Sequence, residues 1–149
     1  MSRLDYRKAA PDAVAALGSL SAYNAKNVDP QLRSLLELRV SQINGCAFCL
    51  NLHSQEARRA GEDQQRLDVL SAWRETSGFF TEKEQAALAW AEALTRLGPT
   101  GVPEETFAAL KSHFSEKEIA DISFVIAGMN AWNRISIGFH VSPPRHKIA

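Results

Sequence analysis

The sequence predicts an all-α fold, a single-domain helical bundle of about six to seven helices with a C-x-x-C pair at the start of a central helix. Three observations predict it. Nearly every apolar pattern repeats with the helical period. Alternating β-branched runs joined by Asn-Gly hairpin turns are missing. Two capping boxes, Thr81 with Glu84 and Ser115 with Glu118, announce helix starts. The 149 residues are enough to bury a core without staples. No repeat, low-complexity stretch or linker divides them, so 1–149 reads as one domain.

Taken in order, a first helix is expected from about Asp12 to Tyr23. A second opens at Pro30, a good first-turn residue, and carries Leu32, Leu35, Leu36, Leu38 and Val40 to about Ile43. Asn44-Gly45 reads as a corner between helices. The third helix begins near Cys46 and stops at Gly61. A fourth spans Asp63 to Glu75 with Leu67, Leu70 and Trp73. The helix opened by Thr81 runs through Leu88, Trp90, Ala91 and Leu94 towards Gly98, and Gly98–Pro103 is a loop. A shorter helix with Phe107 and Leu110 follows Pro103. The last runs from about Glu116 to Ile137, Pro143-Pro144 ends helix, and Arg145 to Ala149 reads as a loose tail.

Composition narrows the function classes. Seventeen basic residues balance seventeen acidic ones, leaving no field to attract nucleic acid or an anionic membrane. The opening MSRLDYRKAA lacks the apolar stretch of a secretory signal. The longest apolar run, Phe124 to Met129, is far too short to cross a bilayer. A cytoplasmic location is therefore the expectation, and there thiols are kept reduced. Two cysteines three positions apart then point to site chemistry, a catalytic dithiol or a metal, rather than a staple.

On a helix, three residues advance by about 300° and four by about 400°, so Cys46, Cys49 and His53 share one face. The Asn-Gly corner puts Cys46 in the first turn, where free amides and the dipole favour a thiolate. His53 can take a thiol proton or hold a thiolate as an ion pair. A sulfenic acid on Cys49 would lie close enough to Cys46 to condense to a disulfide, which a second dithiol can reduce. Zinc is the rival, since C-x2-C-x3-H offers three ligands. No second Cys/His pair accompanies them, and His113, His140 and His146 are scattered. Glu37 is the best candidate acid, on the helix leading into the corner, with Ser41 one turn further along. A solvated carboxylate paired with Lys or Arg is the plainer alternative for it.

The run Glu37-Leu38-Arg39-Val40-Ser41-Gln42-Ile43-Asn44-Gly45-Cys46-Ala47-Phe48-Cys49, followed by His53 and Glu56-Ala57-Arg58, resembles the carboxymuconolactone decarboxylase superfamily. Within it the likeness is to the alkylhydroperoxidase D-like branch, and Asn130-Ala131-Trp132-Asn133-Arg134 supports it. The resemblance implies an all-helical homo-oligomer, trimer or hexamer. It also implies a thiol-dependent reductase for small organic hydroperoxides or hydrogen peroxide. Electrons would return from a dithiol donor, a lipoylated or thioredoxin-like protein, and no haem, flavin or metal is required. By that pattern Cys49 attacks the peroxide, Cys46 is the resolving and more exposed thiol, and His53 is the proton shuttle. Two departures stand out. The branch places its relay glutamate where this chain has Ser34, leaving Glu37 as the nearest acid, and it places a histidine where this chain has Phe48.

Three other functions remain to be weighed. A non-enzymatic redox- or stress-sensing oligomer would oxidise reversibly without turnover. A zinc site would use Cys46, Cys49 and His53. The lactone decarboxylase reaction that names the superfamily has no need of a cysteine pair.

Overall fold

Aspartate, proline and glycine set the limits of the helix that organises the molecule. In a computed structural model describing residues 2–145, helix α3 spans Pro30–Asn44. Asp29 caps it by accepting from the amides of Gln31 and Leu32, and Pro30 needs no donor at that position. Gly45 ends it at φ +70°, and the Cys46 amide turns back to the Ser41 carbonyl at 3.1 Å.

Around α3 stand α1 (Tyr6–Ala9), α2 (Pro11–Asn27), α4 (Ala47–Arg59), α5 (Gln64–Val69), α6 (Glu82–Thr95), α7 (Glu104–Lys111) and α8 (Glu116–Gly138). A 3₁₀ segment, Leu70–Glu75, follows α5. The described residues contain no β-strand, so the all-α expectation holds. Both capping boxes form, at Thr81/Glu84 and Ser115/Glu118. None of the helices is long and apolar enough to cross a membrane.

Three elements differ from expectation. Asp5 accepts from the Lys8 amide and starts the short α1, a turn with no apolar period to reveal it. The helix expected over Asp63–Glu75 is broken, because Ala72 leaves helical geometry at φ −118° and ψ 28°. The first long helix runs four residues past Tyr23, to Asn27. Of the expected tail Arg145–Ala149, residues 146–149 lie outside the described part.

Helix α3 is covered on two sides, which is why its apolar residues do not form a single stripe. Leu36 and Val40 join Ile122, Val125, Ile126 and Met129 of α8 and Ala87 and Ala91 of α6 in the larger core. Leu35 and Leu38 face a second cluster with Ala57, Leu67, Leu70, Trp73 and Leu88. Burying each such leucine contributes about 1.5–3 kcal/mol. Phe124 is 53% exposed, so the apolar run of α8 is divided between this chain's own core and its surface.

Charge is buried between the two clusters. Glu92 of α6 accepts from Arg39 Nε at 2.8 Å and Trp73 Nε1 at 2.9 Å, and its other oxygen pairs with Arg74. Burial alone would raise the Glu92 pKa, but the hydrogen bonds from Arg74, Trp73 and Arg39 outweigh it and hold the carboxyl below its ordinary range. By contrast Arg134 is exposed and bonds to Asn130 of its own helix.

Candidate functional site

The corner between α3 and α4 places the cysteines. Cys46 is the N-cap of α4, with φ −83° and ψ 96°, and its Sγ accepts from the Cys49 amide at 3.3 Å. Asn44, just before the corner, donates through Nδ2 to Asn130 Oδ1 and Asn133 Oδ1, each at 2.9 Å. Asn133 is fully buried, and its own Nδ2 donates to Ser41 Oγ at 3.1 Å. Three side-chain hydrogen bonds thus tie the corner to α8. Cys46 and Cys49 are joined as a disulfide, Cα to Cα 5.4 Å.

The sequence reading makes Cys46 the more exposed thiol, but both are buried, Cys46 at 1% and Cys49 at 2%. The physical reason is that the start of α4 is packed into the larger core, of which both cysteines are members.

His53 lies one turn beyond Cys49 on α4, and the two line one cavity of about 340 Å³. Glu37 reaches the same cavity from α3, with Oε2 3.2 Å from His53 Nδ1. Glu56, three residues on from His53, brings its Oε2 to 2.9 Å from the same nitrogen. Glu37 is also paired with Arg33, at 3.8 Å on the same helix face. Apolar walls come from Phe48, Leu52, Val125, Met129 and Trp132.

The electrostatics decide the state of the imidazole. Burial pulls its pKa down, but the hydrogen bonds and charges of Glu37 and Glu56 outweigh that and push it up to about 9. Glu56 is held below the ordinary carboxylate range, first by its hydrogen bond to His53. At neutral pH His53 is therefore a cation beside Cys49. It suits holding a thiolate and giving a proton more than taking one.

Ser41, expected to join Glu37 at the cluster, does not: its hydroxyl donates to the Glu37 carbonyl at 2.7 Å and accepts from Asn133. Ser34 is buried and donates to the Pro30 carbonyl at 2.8 Å, while Phe48 lines the cavity. Neither His113 nor His140 lines this cavity, and His146 lies outside the described residues.

Glu37, His53 and Glu56 present one metal-ligand atom each within 4.8 Å of one another. Here the imidazole and its proton already bridge the two carboxylates. The other donor set considered, Cys46, Cys49 and His53, offers no thiolate pair while the sulfurs are bonded to each other.

The roles of Glu56 and Asn133 were missed by sequence reasoning. The spacing from His53 to Glu56 on a helix was the available signal for the first. For Asn133 there was none, since an asparagine within a helix says nothing of the corner it clamps.

Comparison with known proteins settles the lineage. Residues 8–93 match the model of the carboxymuconolactone decarboxylase family. The chain belongs to that family. Its relatives include the uncharacterized protein YdfG of Bacillus subtilis (strain 168), 36% identical over 136 residues, which span 91% of this chain and 92% of YdfG. A protein of unknown function from Agrobacterium tumefaciens, assigned provisionally to antioxidant defence as AhpD, superposes with a TM-score of 0.93 at 39% identity. That match covers 98% of this chain and 100% of the other. The debrominase Bmp8 superposes with a TM-score of 0.80 at 26% identity, over 90% of this chain and 72% of Bmp8. The expected family and AhpD-like fold are thus both found.

Proposed function

We propose that this member of the carboxymuconolactone decarboxylase family is a cytoplasmic, thiol-dependent hydroperoxide reductase in which Cys49, Cys46, His53 and Glu37 do the chemistry. The observation that carries the reading is a Cys46–Cys49 disulfide whose Cys49 shares a cavity with a histidine braced by two glutamates.

In the reduced protein the Cys49 thiolate attacks the outer peroxide oxygen. An S–O bond forms, the O–O bond breaks, and the departing alkoxide takes a proton from His53 and leaves as the alcohol. Cys46 then attacks the Cys49 sulfenic acid, expelling hydroxide that leaves as water once protonated, and the disulfide forms. Each turnover consumes one hydroperoxide and yields one alcohol, one water and one disulfide. A dithiol donor, a lipoylated or thioredoxin-like protein, returns the two electrons. Glu37 and Glu56 keep His53 charged and oriented. The reading extends to a homo-oligomer, trimer or hexamer, which sedimentation would measure.

The test is thiol loss at Cys46 and Cys49, followed by mass spectrometry after sub-stoichiometric organic hydroperoxide is added to reduced protein. Rapid formation of the disulfide, abolished in Cys49→Ser and slowed in His53→Ala, is expected. Full turnover in both Cys46→Ser and Cys49→Ser would end the reading. Reversible oxidation with negligible turnover would point to the redox-sensing oligomer instead.

The likeness to the debrominase favours a second reading, in which the same dithiol gives its two electrons to a carbon–bromine bond. That reaction would replace bromine by hydrogen and release bromide, so bromide release from brominated pyrroles separates the two.

A further inference from the structure

Arg33 is the charged group of the His53 cavity that the chemistry above leaves unused. It stands one turn before Glu37 on α3. Its ion pair among the described residues is with Glu37, Nη1 to Oε1 at 3.8 Å, too long for a hydrogen bond. Arg33 Nε is buried with no partner. Both glutamates instead turn Oε2 to His53 Nδ1, at 3.2 and 2.9 Å. The side chain is still 24% exposed, so its outer N–H groups are open to a bound molecule.

The two helices set the order of groups along the cavity. Cys49 is nearest the corner, and Glu37 of α3 meets His53 of α4 one turn further out. Arg33 comes one turn beyond Glu37, as Glu56 comes one turn beyond His53. The Glu56 carboxyl, held down first by its hydrogen bond to His53, is lowered further by the charge of Arg33, as this order requires. From Cys49 to Arg33 is thus about two helical turns, roughly 11 Å. We propose that Arg33 is a carboxylate-binding residue, and that the substrate is an amphipathic organic hydroperoxide with its peroxide end at Cys49 and a carboxylate at Arg33. This rests on the reading of Cys49 as the thiol that attacks peroxide.

A guanidinium offers its N–H donors as a planar fork that matches the two oxygens of a carboxylate. A neutral hydroperoxide leaves that fork empty. Between the two ends, Phe48, Val125, Met129 and Trp132 suit an apolar body, and about 340 Å³ holds an aryl ring or a short alkyl chain. The ends cannot exchange places, because a carboxylate at Cys49 would face the thiolate. Arg7, exposed at the same cavity, is a second cation. With the Cys49 thiolate present, Arg7, Arg33 and His53 balance Glu37, Glu56 and the sulfur, so the preference comes from the contact at Arg33 rather than from net charge. Reduction proceeds as above and leaves a hydroxy acid and water, with the carboxylate unchanged.

The test compares 4-carboxycumene hydroperoxide with its neutral 4-carboxamide as oxidants of the reduced protein in stopped flow. At sub-saturating concentration the acid is expected to react roughly tenfold faster than the amide. That ratio should fall towards one in Arg33→Gln and be partly kept in Arg33→Lys, which retains the charge without the fork. Both oxidants meet the same Cys49 and His53, so any disturbance of Glu37 by the substitution cancels in the ratio. A second measurement needs no peroxide: 4-isopropylbenzoate is titrated into the protein by calorimetry, and Arg33→Gln should weaken its binding roughly tenfold. A ratio near one in the wild type, or a ratio kept whole in Arg33→Gln, would overturn the carboxylate site while leaving peroxide reduction standing. Arg33-dependent binding of 4-isopropylbenzoate to a protein that neither hydroperoxide oxidises would remove the peroxide reading and leave the carboxylate site.

Discussion

Glu37 meets His53 across the α3–α4 corner, its Oε2 3.2 Å from the imidazole Nδ1, while Glu56 approaches the same nitrogen at 2.9 Å from within α4. One acid is delivered by tertiary packing and the other by helical register. Together they raise the His53 pKa to about 9 against the pull of burial.

Replacing Glu37 with glutamine keeps the shape and removes one charge. The His53 pKa is expected to fall by roughly one unit. Oxidation of Cys49 by hydroperoxide should slow by roughly tenfold at neutral pH. An NMR titration of the imidazole and a stopped-flow rate check the two effects separately, and an unmoved titration would show that Glu56 alone sets the charge.

The same pairing makes stability depend on pH with a definite sign. The folded pKa of His53, about 9, lies above the ordinary 6.5, so its contribution is fully present below 6.5 and is lost as pH rises through 9. The contribution amounts to about 3 kcal/mol at most. The stability difference between the wild type and His53→Gln, from urea unfolding, should therefore shrink between pH 6 and pH 10.

Glu92 is the acid whose loss should cost the most. Glu92→Ala leaves Arg39 buried without its partner and frees the Trp73 indole N–H, a loss of about 3–5 kcal/mol in urea unfolding. Glu92 does not line the cavity of Cys49 and His53, so reactivity of the surviving folded fraction should be unchanged.

Two glycines give opposite expectations. Gly45→Ala forces a side chain into φ +70° and should destabilise by about 1–2 kcal/mol. Gly18 lies inside α2 with nothing within 4 Å of an added Cβ, so Gly18→Ala should stabilise by about 0.5–1 kcal/mol. Thermal melts of the two variants check the contrast.

Much of this architecture was legible in the sequence because local chemistry sets it. Thr81, Ser115, Pro30 and Gly45 start or end helices through their own backbone preferences. The shared face of Cys49 and His53 follows from helical geometry alone, whereas Cys46, expected in the first turn on that face, is the extended N-cap and does not line the cavity of His53. What depends on tertiary packing was harder to read. The kink at Ala72, the burial of both thiols and the diversion of Ser41 to Asn133 each arise from neighbours distant in sequence. Glu37 was identifiable as a candidate, but its contact with His53 depends on how tightly two helices pack at one corner.

The clamp on that corner has a mechanical consequence. Asn44, Asn130, Asn133 and Ser41 hold the backbone around Cys46 by hydrogen bonds that do not involve sulfur. Opening the disulfide therefore releases two side-chain atoms without releasing the chain that carries them. In the proposed cycle the oxidised and reduced proteins would therefore share one scaffold, each electron transfer would entail little reorganisation, and the thiols would return to bonding distance without a search.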